Sequence, residues 1–290
     1  MTAPAATSAN ASPGTRTQPQ PVSVPGPHSG ADPTAAGDSP WPPRLALLAG
    51  GLATRLRPLT ATLPKSLIEV AGEPFLAHQL RLLHALGLRE IVLCCGYLGD
   101  QIEAFAEDGR RFGLSIACSH DGNQPLGTGG ALRAALPLLG SRFLVLYGDS
   151  WLTEPIEPVW RAFLESGRPA LMTVFHNENR WGASNVEFRH GAVLRYDQRR
   201  PSPALRHIDY GLNALDASVL ARWPVPVFDL SDVWSALARG SLLAGYATSR
   251  RFYEIGSWQG LRETESAIAA HSSSTRCCPP PQREAQGGGS

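Results

Sequence analysis

The stretch RLALLAGGLATRLRPLTATLPKSL, residues 44–67, decides the fold. Its first seven residues, 44–50, form a short continuous apolar run that ends in glycine, as a strand buried on both faces of a parallel sheet does. Three small residues follow one another at Ala49, Gly50 and Gly51, so the backbone can approach a flat or charged ligand closely. In an open α/β sheet such a loop lies at the carboxyl end of its strand, where ligands sit. The loop lacks the Gly-Lys-Ser/Thr of a Walker A motif and the later glycines of GxGxxG. Arg55, Arg57 and Lys65 place three cations within 15 residues of Gly51, a charge pattern suited to a triphosphate. Taken alone, the glycines are equally consistent with a plain βα turn flanked by surface arginines.

Outward from this loop, strand-like and helix-like segments alternate. Residues 75–86 carry Leu76, Leu80, Leu83 and Leu86 at helical spacing, and 90–97 (EIVLCCGY) reads as the next strand. A short helix is expected at 100–107 with Asp100 as its cap, then a strand at 114–120, a helix at 129–139 and a strand at 142–150 ending in an acidic tip. This alternation predicts a Rossmann-like α/β fold: a doubly wound, mostly parallel sheet. The segment 151–247 has shorter alternating runs and is expected to be a mixed region that adds antiparallel strands and a substrate lid. No hexapeptide repeat of the β-helix kind is visible.

Residues 1–43 hold ten of the 25 prolines and no aromatic before Trp41, and 272–290 read SSSTRCCPPPQREAQGGGS. Neither segment offers enough apolar surface to offset its ordering entropy, so both are expected to be disordered tails around a single domain at 44–271. Residues 1–43 also lack the basic and apolar regions of a signal peptide. The five cysteines form no zinc-binding or disulfide pattern, and free thiols fit a reducing cytoplasm. The formal net charge of +1 argues against a nucleic-acid partner, and no run approaches the length of a membrane span. Of the 26 basic residues 25 are Arg, and the one Lys is Lys65.

The string AGGLATRLRPLTATLPKSL resembles the signature of the sugar-phosphate nucleotidylyltransferases, G-G-x-G-T-R-L-x-P-x-T followed by P-K, with Ala53 where that family has Gly. Further resemblances follow in family order: EVAGEPFLAHQL (69–80), PLGTGGAL (125–132), YGDSWL (147–152) and RFYEIGSWQGLRET (251–264). The compact members acting on heptose, mannose or N-acetylmuramate 1-phosphates are the most similar. The resemblance implies that an NTP and a sugar 1-phosphate give an NDP-sugar and pyrophosphate by in-line attack at the α-phosphorus, with Mg²⁺ as cofactor. It implies that Ala49, Gly50, Gly51 and Gly127 contact the nucleotide, Arg55 clamps the leaving pyrophosphate, and Lys65 damps charge at the α-phosphate. Asp149, at the end of the apolar run FLVLYGD, and Glu254, where the family has Asp, would hold the metal. Gly182, Asn185, Glu187 and Asp209 would contact the sugar, Asn213 with them, and Trp151 could wall it. The family's second phosphate-binding lysine is replaced by Gln198, which leaves that charge to Arg195, Arg199 or Arg200. A variant reading keeps the fold and takes phosphocholine as acceptor, with Trp151, Trp181 and Tyr210 as a cation-binding box. A third is a nucleotide-sugar-binding module without turnover.

Overall fold

The computed structural model describes residues 41–51, 54–56, 58–122 and 124–276. In chain order the first half contains β1 (Leu45–Leu48), β2 (Glu69–Val70), β3 (Glu73–Pro74), α1 (Phe75–Ala85), β4 (Glu90–Cys95), α2 (Gly99–Ala106), β5 (Ser115–His120), α3 (Gly127–Leu139) and β6 (Arg142–Tyr147). The second half contains β7 (Ser150–Trp151), α4 (Ile156–Ser166), β8 (Ala170–His176), β9 (Val186–Arg189), β10 (Ala192–Tyr196), β11 (His207–Asp216), α5 (Ala217–Ala221), α6 (Leu230–Arg239), β12 (Leu243–Thr248), β13 (Tyr253–Glu254) and α7 (Trp258–Arg276).

Nine strands form one sheet in the order β5-β4-β1-β6-β11-β8-β12-β10-β9. The first four are mutually parallel, because helices on the sheet faces carry the chain back after each strand. β11 then runs antiparallel to both β6 and β8, β12 is parallel to β8, and β10 and β9 close the far edge as an antiparallel pair. The expected parallel half and mixed half are therefore fused edge to edge through β11. The central strands β1, β4 and β6 are buried on both faces, as their nearly continuous apolar runs require. Two core layers cover the sheet: one built on α1, α2 and α4, the other on α3, α5 and α6. A third, smaller cluster joins Trp151, Ile255 and Ile268 under α7.

Three boundaries differ from the sequence reading. Trp41 packs against the first core layer and Pro43 is buried, so the domain begins a few residues before 44. α7 continues to Arg276, into the segment assigned by composition to the tail. The cap of α2 is Leu98 in the left-handed conformation, and Asp100 lies inside the first turn instead. Most of both expected tails, with Cys277 and Cys278, lies outside the described residues.

Candidate active site

A cleft of about 480 Å³ opens at the carboxyl ends of β4, β1 and β6. Ala49, Gly50, Gly51, Lys65, Gly127 and Asp149, all implicated by the sequence, line it together. The glycines at this end have a reason in packing. A methyl on Gly50 would lie 2.7 Å from the Gly96 amide nitrogen, and Gly148 abuts the Leu48 carbonyl. The ends of three adjacent strands therefore meet backbone to backbone, with no room for a side chain at these glycines. Gly51 has open space around it. Ala53 and Arg57 lie outside the described residues.

Gly127 opens α3 with φ +74°, and a methyl there would lie 2.5 Å from the Phe228 carbonyl oxygen. Its glycine is thus required by contact with the Phe228–Asp229 segment. The Gly129 and Gly130 amides donate to the same carbonyl at 3.0 and 3.2 Å. Thr128 and Asp229 then cap each other's helices: the Thr128 N–H donates to Asp229 Oδ1 at 3.3 Å, and the Leu230 N–H donates to the Thr128 hydroxyl at 2.8 Å. Asp229 and Asp121, neither singled out in the sequence, both line the cleft. Burial pushes the Asp121 carboxyl above the usual carboxylate range, only partly opposed by the Leu126 N–H that it accepts at 3.3 Å.

The charged end is built by two short strands. β7 and β13 pair antiparallel with Ser150 opposite Glu254, and the Ile255 N–H donates to the Asp149 carbonyl at 3.0 Å. This ribbon brings residues a hundred positions apart side by side. The Lys65 ammonium donates to Asp149 Oδ2 at 2.7 Å, with the lysine side chain only 14% exposed. Glu254 accepts from the Gly256 amide and from the Ser257 hydroxyl. Gly256 marks the meeting point: an added methyl would overlap the Glu254 carboxylate and lie 3.1 Å from Lys65 Nζ and 3.3 Å from Arg55 Nη2. Arg55, Lys65 and Glu254 thus converge around Gly256, and Lys65 joins them to Asp149 at the edge of the cleft. Asp149 lines the cleft and Glu254 lies across the ribbon from its neighbour Ser150, two carboxylates of the kind that Mg²⁺ takes together with phosphate oxygens. Another acidic group, Asp100, Glu103 and His120, is exposed on α2 and β5.

A smaller cavity of about 310 Å³ is lined by Ala183, Ser184, Asn185, Asp197, Gln198 and Pro201. Gly182 precedes it with φ +120°, its carbonyl accepting 2.8 Å from the buried Asn177 amide. A hydrogen-bond chain joins the two cavities. Tyr147, in the large cleft, donates to Asp209 Oδ2 at 2.6 Å, and the Asp209 N–H donates to Asn185 Oδ1 at 3.0 Å. Asp209 also accepts from the Gly211 amide and from Asn213. Burial raises its carboxyl above the ordinary range even with these donors in place. The structure therefore gives Asp209 a different place from the one expected: its oxygens, like the Asn213 amide, are engaged inside the protein. Glu187 lines neither cavity and pairs with Arg189 at 3.4 Å, because residues two apart on β9 share a face. In the arginine stretch, Arg195 pairs with Asp197 at 2.9 Å, while Arg199 and Arg200 donate only backbone amides to Asp197 and leave their side chains exposed. Trp151 and Tyr210 are core residues, 3% and 1% exposed, and the Trp181 ring is covered by Arg251 at 4.7 Å. The three do not form a box. Among the described residues, no helix is long and apolar enough to cross a membrane.

A cleft with glycines at the carboxyl ends of parallel strands, with cations and carboxylates at one end, defines a nucleotide-handling α/β domain. Residues 46–189 match the family model described as Nucleotidyl transferase. It is 31% identical over 217 residues to the mannose-1-phosphate guanylyltransferase catalytic subunit beta of Xenopus tropicalis, covering 72% of this chain and 60% of that protein. It is 45% identical over 104 residues to an N-acetylmuramate alpha-1-phosphate uridylyltransferase of Neisseria meningitidis, covering 36% of this chain and 45% of that one. The chain spans about 60% of the length of the first curated relatives it matches. Its fold is that of a putative glucose-1-phosphate thymidylyltransferase from Bacillus anthracis, solved with a sucrose: TM-score 0.68, 21% identity, 78% of this chain and 94% of that one.

Proposed function

We propose that this chain transfers a nucleoside monophosphate from an NTP to a sugar 1-phosphate, giving an NDP-sugar and pyrophosphate. The observation that carries this reading is the convergence of Arg55, Lys65 and Glu254 around Gly256, with Lys65 joining them to Asp149 at the edge of the cleft. The nucleotide lies over Ala49, Gly50 and Gly51, with Gly127 at its other side. The acceptor approaches from the direction of Gly182 and Asn185, and the exposed guanidinium of Arg199 meets it from the rim. A phosphate oxygen of the sugar 1-phosphate attacks the α-phosphorus as the bond to the β-phosphate oxygen breaks, so the work is alignment and charge neutralisation. Arg55 presents a planar fork to the departing pyrophosphate. Lys65, partly buried and fixed by Asp149, is held where equatorial charge develops, and in a site of reduced dielectric that placement is worth more than in water. Mg²⁺, held by Asp149 and Glu254, would neutralise phosphate charge.

Of the alternatives, the phosphocholine reading finds no support, since its three aromatic residues are not gathered. Relatives acting with guanosine and with uridine nucleotides both resemble the chain, so the nucleobase stays open. The test is Asp149→Asn. Pyrophosphate release is expected to fall by at least about 10³-fold, the loss of roughly 4 kcal/mol of transition-state stabilisation, while the fold survives. Activity within tenfold of wild type would defeat the assignment of Asp149.

A further inference from the structure

The polar side chains lining the large cleft are paired inside the protein, with one exception among the described residues. Asp149 is paired with Lys65, Tyr147 with Asp209, Thr128 with Leu230, Asp121 with Leu126, and Asp229 with Thr128. Ser66 is the exception. Its residue is 2% exposed, it lines the cleft, and its Oγ is buried without a hydrogen-bond partner. A buried hydroxyl without a partner is costly, and native interiors rarely leave one that way unless it has a use. The backbone around it is fixed: Ser66 is central in a single 3₁₀ turn, Lys65–Leu67, where the Leu67 amide donates to Pro64 at 2.9 Å and the Ile68 amide to Lys65 at 3.2 Å. Ser66 is therefore held in the wall of the cleft by a preformed turn, one residue from the ammonium that pairs with Asp149.

We infer that Ser66 is a nucleotide ligand whose hydroxyl donates to an oxygen of the bound phosphate chain; this rests on the reading of the cleft as the NTP site. Two features select phosphate over base or ribose. The neighbouring residue supplies a cation, and a hydroxyl donating to an anionic oxygen forms one of the stronger hydrogen bonds available to a neutral side chain. The turn thus offers two adjacent donors of different kind, a point charge from Lys65 and a directional O–H from Ser66.

The test uses Ser66→Ala in the full chain, with binding of GTP and UTP measured by calorimetry in the presence of Mg²⁺, and guanosine and uridine measured alongside. The variant is expected to unfold at the wild-type temperature or slightly above it, because no internal hydrogen bond is removed. Its dissociation constant for whichever triphosphate the wild type binds is expected to rise on the order of tenfold, with nucleoside binding unchanged. Three results would overturn the inference: triphosphate affinity within twofold of wild type, an equal loss for nucleoside and triphosphate, or a marked drop in unfolding temperature without ligand. Failure of the wild type to bind any of GTP, UTP, ATP, CTP and dTTP in the same assay would overturn the nucleotide reading of the cleft, and Ser66 with it. Wild-type binding with an unaffected variant would remove Ser66 alone.

Discussion

Gly256 offers a way to disturb the charged end of the cleft without changing any charged residue. It has no positive φ, so the backbone accepts alanine without strain. The added methyl would overlap Glu254 Oε2 and stand 3.1 Å from Lys65 Nζ and 3.3 Å from Arg55 Nη2. All three are the far ends of flexible side chains. Relief comes from their movement, and restoring an ordinary contact with the Glu254 oxygen requires a displacement of about 1 Å. A displacement of that size at a reacting centre costs about 10²-fold, or roughly 2.7 kcal/mol in the barrier. Stability should respond little, since Gly→Ala at a compatible position contributes about 0.4–1 kcal/mol through the unfolded chain. Gly256→Ala is thus expected to lose about 10²-fold in the rate of pyrophosphate release while its thermal unfolding midpoint moves by only a few degrees. The assay is coupled pyrophosphate detection at saturating substrates, paired with a melting curve. A rate within threefold of wild type would refute the claim that Arg55, Lys65 and Glu254 act as one assembly.

Other perturbations follow from the same geometry. Lys65→Arg replaces a point charge, 2.7 Å from Asp149 in a pocket where it is only 14% exposed, with a broad planar fork, so most activity should vanish; steady-state rates within twofold would show that any cation serves. Gly127→Ala forces φ +74° on a side-chain residue and sets its methyl 2.9 Å from the Phe228 carbonyl carbon, which should cost about 2–4 kcal/mol in urea unfolding; a change below about 1 kcal/mol would contradict the packing. Asp121→Asn carries a pH dependence. Burial raises the folded-state carboxyl, so the charged form is penalised in the fold, and stability present at acid pH is lost as pH rises through the folded value. The asparagine variant should therefore melt higher than wild type at pH 7, with the difference vanishing at low pH; a lower midpoint at pH 7 would reverse the sign and the reasoning.

Much of this was legible in the sequence because it is local. Strand β1 and its glycines lie in one stretch, and the parallel half of the sheet follows from helices that return the chain between neighbouring strands. Asp149 could be found as a carboxylate at the end of an apolar strand, and Glu254 through its motif, although only the β7–β13 ribbon shows why they are neighbours. What was hidden depends on closure between distant segments. Asp229 belongs to no motif in the sequence, and becomes part of the cleft because Phe228 binds the amides of Gly129 and Gly130. Asp209 reads as an available carboxylate until Tyr147, Gly211 and Asn213 are seen to surround it. The family resemblance implies a sugar contact for Glu187, whereas the two-residue period of β9 sets it beside Arg189. Ser66 could not have been chosen at all, since an unpaired hydroxyl is visible only once every candidate partner has a position.

The central claim is that this cleft joins a nucleotide to a sugar 1-phosphate. Its most direct measurement is pyrophosphate release by the purified, folded chain with Mg²⁺, each of five nucleoside triphosphates being tested against mannose, glucose, heptose and N-acetylmuramate 1-phosphates. The account predicts turnover in at least one combination, abolished by Asp149→Asn and dependent on both substrates. No release above background in any combination, or release that persists without the sugar phosphate, would contradict it.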